Sequence, residues 1–119
     1  MASIMDDKAV VFAVDIIKLS NSLRKTHDYE ISSQVIRSGT SIGANIREAQ
    51  AAESKKDFVH KLSISLKEAR ETRFWLELLV KSDMITRASF KLLDDQAIQL
   101  RSMLTSSIKT TKEKYKLKK

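Results

Sequence analysis

The chain has 119 residues and a formal net charge of +7; 42% of its residues are hydrophobic and 31% are charged. This balance is typical of one folded domain and excludes a disordered chain. The sequence contains two glycines and no proline, whereas average proteins contain roughly 7% and 5% of them. This scarcity of turn residues predicts helices joined by short loops. The absence of cysteine excludes disulfides and thiol chemistry.

The first predicted helix runs from about Asp6 to Leu23 and carries one broad apolar face. Its residues recur at the three- and four-residue steps of an amphipathic helix. The face comprises Met5, Ala9, Phe12, Ala13, Ile16, Leu19, Ser20 and Leu23, with Val10 and Ile17 widening it. The polar segment 24–28 ends the pattern and offers Thr26 or Asp28 as the next helix cap.

The second predicted helix spans roughly residues 29–52 and contains both glycines, Gly39 and Gly43. A four-residue step returns to nearly the same helix face, so the glycines form a strip without bulk that another helix can approach closely. Each glycine costs a helix about 1 kcal/mol relative to alanine, which implies a packing reason for the pair.

Asn45 falls within the apolar stripe of the same helix, which also includes Val35, Ser38, Ile42 and Ala49. A buried amide must be hydrogen-bonded. We therefore expect Asn45 to fix the register of the helices, with Glu48, Glu68 or Glu71 as its partner. Ligand binding by the amide is the alternative.

The third predicted helix, about residues 55–81, follows a capping motif at Ser54–Asp57, although one continuous helix from 29 is the competing interpretation. Its core seam contains Phe58, Leu62, Ser65, Ala69, Thr72, Leu76 and Leu79. A second stripe faces the opposite way and predicts a homo-oligomer interface, because a monomer would leave it exposed. That interface comprises Ile64, Glu68, Glu71, Phe74, Trp75 and Leu78.

The fourth predicted helix carries Phe90, Leu93, Ala97, Leu100, Leu104 and Ile108 on one face. Four amphipathic helices with short connections predict an all-α, up-down-up-down antiparallel four-helix bundle. We assign residues 1–108 to the bundle and residues 109–119 to a basic C-terminal extension of helix four. No apolar run reaches the roughly 18 residues of a membrane span, and the N-terminus lacks signal-peptide order, so we expect a cytoplasmic protein without membrane contact.

The C-terminal extension holds most of the positive charge. Residues 109–119 carry six lysines and one glutamate, whereas residues 1–59 sum to zero and residues 60–108 to +2. Lysines that neutralise phosphates bind nucleic acid by releasing counterions, while lysine-rich ends also serve simply as solubilising termini. The candidate nucleic-acid-binding residues are Lys109, Lys112, Lys114, Lys116, Lys118 and Lys119.

The sequence resembles the four-helix-bundle family of 23S ribosomal RNA intervening-sequence proteins over nearly the whole chain, most densely from residue 34 to residue 80. The matching runs are residues 38–49 (SGTSIGANIREA), 54–58 (SKKDF), 67–72 (KEARET) and 75–76 (WL). Many relatives have proline where this chain has Gly43 and glycine where it has Ala49. The resemblance implies a homo-oligomer, typically a pentameric ring, and an association with ribosomal RNA inferred from gene position; it implies no catalytic residues.

The remaining candidate sites are weak. Asp57 and His60 have the carboxylate–histidine spacing of di-metal bundles, but the second pair that such a site needs is missing, because His27 lies in a loop. The scattered serines suggest no nucleophilic triad. We therefore predict a non-enzymatic protein without metal or cofactor.

Two functional hypotheses follow. The first is an oligomeric bundle, expected as a homopentamer, that binds structured RNA or other nucleic acid through backbone charge. The alternative is a scaffold or accessory subunit that presents a surface to another protein and does not bind nucleic acid.

Overall fold

The computed structural model describes residues 3–117, which form four α-helices. These are α1 (Ile4–Lys25), α2 (Tyr29–Gln50), α3 (Lys55–Lys81) and α4 (Arg87–Lys114). The predicted all-α class is confirmed for the described residues, and α3 begins after the predicted break. α1 begins two residues before the predicted start, and α2 ends two residues before position 52.

Each helix packs against the helix that precedes it in the chain, and α4 also packs against α1. The connections contain three, four and five residues, which holds consecutive helices side by side as in an up-and-down bundle. The backbones of α1 and α3 do not approach within 8 Å of each other, so these two helices lie at diagonal positions across the core. The bundle is a rod of 48 × 22 × 21 Å.

Hydroxyl caps define the starts of three helices. The Ser54 side chain accepts a hydrogen bond of 3.0 Å from the backbone N–H of Asp57, so α3 starts at Lys55 and does not continue α2. Ser3 and Thr86 cap α1 and α4 in the same way. Each cap satisfies an otherwise unpaired backbone donor and contributes about 1 kcal/mol.

The core consists of aliphatic side chains and one phenylalanine from all four helices. Its largest fully buried members are Phe12, Ile16, Val35, Ile42, Ile46, Leu62, Leu76, Leu79, Leu100 and Leu104. Val10 and Ile17, expected to widen the core face of α1, are instead exposed. They lie on the side of α1 that turns away from the bundle.

The glycine strip of α2 is where α1 comes closest. A Cβ atom added at Gly39 would lie 2.8 Å from Cγ2 of Ile16, whereas a Cβ atom added at Gly43 would lie 3.4 Å from the Cβ atom of Ala9. Real Cβ atoms do not tolerate the first distance, and the second is an ordinary contact. Close helix approach therefore depends on Gly39 more than on Gly43.

Buried hydroxyls join neighbouring helices. The Ser20 and Ser32 hydroxyls hydrogen-bond each other between α1 and α2, and the Ser32 hydroxyl also donates to the Ser20 carbonyl at 3.0 Å. The Ser65 hydroxyl of α3 donates to the Ile42 carbonyl of α2 at 2.8 Å. Because each bond requires one axial alignment of two helices, these serines fix the register of the bundle.

Asn45 does not act as expected. Its side chain is half-buried and its amide donates to the Ser41 carbonyl one turn earlier in α2, at 2.9 Å, so it pairs within its own helix. The expected partnership with Glu48, Glu68 or Glu71 is wrong. Ile46, one position later, occupies the buried face instead.

Candidate functional site

The C-terminal lysines belong to α4 and its end. α4 continues without a break through position 108 to Lys114, so the first half of the predicted extension is helical. Lys109, Lys114 and Lys116 are exposed and Lys112 is half-buried. Lys118 and Lys119 lie outside the described residues.

The end of α4 lies beside the start of α3. The Lys55 ammonium of α3 is 4.9 Å from the centroid of the Tyr115 ring, and the Lys114 ammonium is 5.5 Å from the same centroid. The structure thus brings Lys55 and its neighbour Lys56 to the tail lysines. Neither lysine was predicted to be a site residue, although the Ser54 cap and the antiparallel topology together place the start of α3 beside the end of α4.

This end of the rod, which we call the basic end, is defined by Lys55, Lys56, Lys109, Lys112, Lys114, Tyr115 and Lys116. Its six lysines are accompanied nearby in sequence by three carboxylates: Glu53, Asp57 and Glu113. The start of α1 and the end of α2 lie at the same end of the rod and add Asp7 and Glu48, together with Asp6, which is paired with Arg47. The six lysines still outnumber the carboxylates that have no arginine partner there. Tyr115 is 43% exposed among these lysines, and an aromatic ring can stack on a base.

The predicted oligomer interface lies on the outer side of α3. Phe74 and Leu78 are 53% and 37% exposed, while Ile64 and Trp75 are half-buried. The rings of Phe74 and Trp75 make an edge contact with a centroid distance of 5.3 Å. The structure therefore leaves an apolar surface at this position, and Phe74 is its most exposed member.

Glu68 and Glu71 are occupied within the chain. Arg37 of α2 donates to a Glu68 oxygen at 3.1 Å and also to Glu71, and the Trp75 indole N–H donates to Glu71 at 3.0 Å. Arg73, on the same helix, binds Asp94 of α4 at 2.8 Å. The Arg37 and Arg73 ion pairs connect helices of one chain. Any contact of the predicted interface with another copy would therefore be made by its apolar residues.

The pKa shifts in the described residues come from ion pairs. The hydrogen bond from Lys81 lowers the pKa of Glu77, and the hydrogen bond to Asp95 raises the pKa of Lys91. The hydrogen bond to Asp94 likewise raises the pKa of Arg73. Each of these shifts favours the charged form at neutral pH, whereas a general acid or base needs a pKa near the working pH.

The candidate metal ligands are not assembled. Asp57 is half-buried at the start of α3, and His60 is exposed one turn later. His27 lies in the α1–α2 turn at the other end of the rod, where its Nδ1 is 2.9 Å from the Tyr29 hydroxyl. Within residues 3–117, no three histidine or carboxylate side chains come together as a metal site requires. None of the described helices has the length and apolar character to cross a bilayer.

The fold and this site define the class of protein: a four-helix bundle with a basic end and an apolar outer face on α3. The family model described as 23S rRNA-intervening sequence protein matches residues 3–106, and the chain belongs to that family. The crystal structure of a protein with unknown function from the S23 ribosomal protein family of Bacteroides thetaiotaomicron VPI-5482 is similar, with 45% sequence identity and a TM-score of 0.87. The match covers 89% of this chain and 99% of that one. No curated protein matches the sequence.

Proposed function

We propose that the protein is a non-enzymatic, self-associating helical bundle that binds structured RNA through backbone phosphates at its basic end. The observation that carries this proposal is the convergence of Lys55 and Lys114 on the Tyr115 ring, at 4.9 and 5.5 Å. It joins the α4 lysines to the start of α3 in one positively charged surface. Membership of the 23S rRNA-intervening sequence family supports RNA as the nucleic acid.

The lysines of the basic end are better suited to contacts with phosphates than to sequence-specific recognition of bases. Lysine ammonium groups are compact charges that pair with phosphate oxygens, and such contacts position a protein without specifying a sequence. Tyr115 supplies one ring for stacking. We therefore expect binding that depends on RNA shape and salt concentration but only weakly on sequence. An RNA partner of this kind places the protein in the cytoplasm.

Self-association would repeat the basic end on one particle. We propose that the exposed apolar residues of α3, chiefly Phe74 and Leu78, contact a second copy; the family resemblance favours a ring of five. Several weak phosphate contacts on one particle bind a single RNA far more tightly than one contact does. In such an assembly the basic ends of several copies would act together on one RNA.

Salt dependence of RNA binding tests the proposal. Lys112→Gln, Lys114→Gln and Lys116→Gln together keep the chain length and the Tyr115 ring while removing three charges. Each phosphate contact that is lost should reduce the slope of log affinity against log salt by about 0.7–0.9. The matched control is Lys25→Gln with Lys67→Gln and Lys81→Gln, which removes three exposed lysines away from the basic end.

Removal of residues 109–119 should weaken binding further and equally for unrelated structured RNAs. Binding with an unchanged slope in the triple variant would place the RNA site elsewhere on the bundle. If neither the wild-type nor the variant protein binds RNA at low salt, the RNA proposal fails and the scaffold hypothesis becomes the leading one. The exposed side chains of Phe74 and Leu78 favour that second function, because they offer a protein partner an apolar surface.

A further inference from the structure

The second half of α4 carries a dense run of hydroxyl side chains. Six of the ten residues from 102 to 111 are serine or threonine. Both are poorer helix formers than the alanine, lysine or glutamate that usually cover an exposed helix face. Ser102, Ser106 and Thr110 are exposed, so burial does not compensate for their weaker propensity. The run therefore implies a role at the surface of the bundle.

These residues continue the face of α4 that meets α1. The Gln96 amide of α4 donates to the Asp15 carboxylate of α1 at 3.2 Å. Steps of three and four residues, which keep to one side of a helix, lead from Gln96 through Gln99, Met103 and Ser106 to Thr110. The hydroxyl run thus lies on the side of α4 against which α1 packs nearer the middle of the rod.

α4 extends beyond α1 at this end of the rod. The two helices are antiparallel in the up-and-down bundle, and Asp15 lies level with Gln96. Ile4, the first residue of α1, lies 11 residues before Asp15, whereas Lys114, the last residue of α4, lies 18 residues after Gln96. At about 1.5 Å per residue, the excess of seven residues makes α4 about 10 Å longer than α1. Helix α1 therefore leaves the last turns of this face uncovered.

An open groove of about 480 Å³ lies along this face. We call it the α4 groove; it is lined by Ser102, Met103, Ser106, Ser107, Thr110 and Thr111. The Thr111 hydroxyl donates to the Ser107 carbonyl at 2.8 Å, whereas the exposed hydroxyls of Ser102, Ser106 and Thr110 are accessible to a ligand. The lining thus consists of neutral hydrogen-bonding groups and one thioether, without an ionisable side chain.

The charges around the α4 groove favour a polyanion. From residue 97 onward the sequence has seven basic residues and one carboxylate, Glu113. Lys109 and Lys114, both exposed, lie within one turn of the groove residues. On the α1 side, the adjoining groove is lined by one acidic and one basic residue, Asp7 and Lys8. The α4 groove therefore continues the surface of the basic end and suits the same anionic ligand.

We propose that the α4 groove binds the ribose–phosphate backbone of double-stranded RNA, with Ser106 and Thr110 hydrogen-bonded to ribose 2′-hydroxyls. The proposal rests on the RNA binding proposed above and adds the basis on which RNA is distinguished from DNA. An A-form RNA helix presents its 2′-hydroxyls in a wide, shallow minor groove, which an uncharged helix face can approach. A serine or threonine hydroxyl can both donate to and accept from a 2′-hydroxyl.

The lysines of the basic end cannot supply this distinction. RNA and DNA carry the same phosphate groups, and lysine contacts to them position a protein without reading the nucleic acid. The 2′-hydroxyl is the group that DNA lacks. The hydroxyls of the α4 groove therefore determine the preference for RNA, whereas the lysines determine the dependence on salt.

Fluorescence anisotropy with an RNA duplex and a DNA duplex of the same sequence tests the proposal. The wild-type protein should bind the RNA duplex more tightly. Ser106→Ala with Thr110→Ala should lower the affinity for RNA about five-fold or more, because two hydrogen bonds are lost. The same variant should keep the wild-type affinity for DNA and the wild-type salt slope, because no charge is removed.

Two control variants accompany the alanine variant. Ser106→Thr with Thr110→Ser keeps both hydroxyls and should keep the wild-type preference for RNA. Ser22→Ala with Ser33→Ala removes two exposed hydroxyls at the other end of the rod and should change neither affinity. Alanine is a better helix former than serine or threonine, so the melting temperature of the alanine variants should not fall.

The outcomes separate this proposal from the proposed function. Equal affinity of the wild-type protein for the two duplexes, or an unchanged ratio of RNA to DNA affinity in the alanine variant, would overturn the role of the α4 groove and leave phosphate binding intact. A wild-type protein that binds neither duplex at low salt would overturn both proposals.

Discussion

Replacing Gly39 by alanine tests how closely α1 and α2 pack. A Cβ atom at this position would lie 2.8 Å from Cγ2 and 2.9 Å from Cγ1 of Ile16. Ile16 is completely buried, so its side chain has no empty space into which it could move. Overpacking of this kind costs about 1–3 kcal/mol, whereas alanine gains about 1 kcal/mol over glycine from helix propensity. The expected net effect is a loss of roughly 0–2 kcal/mol.

Gly43→Ala is the matched control, because its Cβ atom would make an ordinary contact of 3.4 Å with Ala9. For Gly43→Ala only the gain in helix propensity of alanine over glycine remains, so this variant should be about 1 kcal/mol more stable than the wild type. Urea unfolding at one fixed protein concentration measures both variants, and the fixed concentration removes any contribution from association.

The difference between the two alanine variants isolates the contact with Ile16. In an Ile16→Ala background, Gly39→Ala should cost less or become stabilising, since Cγ1 and Cγ2 of Ile16 are gone and only its Cβ atom, 3.2 Å away, remains opposite. Equal stabilisation by Gly39→Ala and Gly43→Ala in the wild-type background would refute the reasoning, because it would show that the helices separate at no cost.

Two further substitutions test single features of the structure. Trp75→Gln with Leu78→Gln should dissociate the oligomer in light scattering while leaving helicity largely intact; a wild-type protein that is already monomeric at micromolar concentration would contradict association through α3. Ser32→Ala should cost about 1 kcal/mol in urea unfolding, because it removes one side of a buried hydrogen-bonded pair with Ser20. An unchanged free energy of unfolding would show that the serine pair does not stabilise the bundle.

The four helices were predictable because the apolar period and the Ser54 cap are local signals. Which of Asn45 and Ile46 is buried could not be predicted in this way. Both positions continue the series from Ile42 to Ala49 in steps of three and four, and a core-facing stripe is about 100° wide. Periodicity therefore cannot distinguish two adjacent positions on its margin. The packing of α1 and α3 against α2 decides which of the two positions is buried, and in the structure it is Ile46.

The same ambiguity explains the misplaced residues of α1. Val10 and Ile17 lie at the margin of the core face on the helical wheel, and the structure leaves both exposed. The pairing of Arg37 with Glu68 joins residues 31 positions apart, which no local pattern reveals. Lys55 was missed for a related reason, since its neighbours at the basic end come from the far end of the sequence.

Self-association through α3 should strengthen RNA binding if several copies hold one RNA. The outer face of α3 and the basic end share no residues, so the Trp75→Gln, Leu78→Gln variant keeps every lysine. If several copies hold one RNA, this variant should bind more weakly and with a smaller salt slope per complex, because fewer phosphates are neutralised at once. Filter binding from low to moderate salt measures both quantities. An unchanged affinity with an unchanged slope would mean that one copy makes all the phosphate contacts, and that the assembly serves a purpose other than RNA avidity.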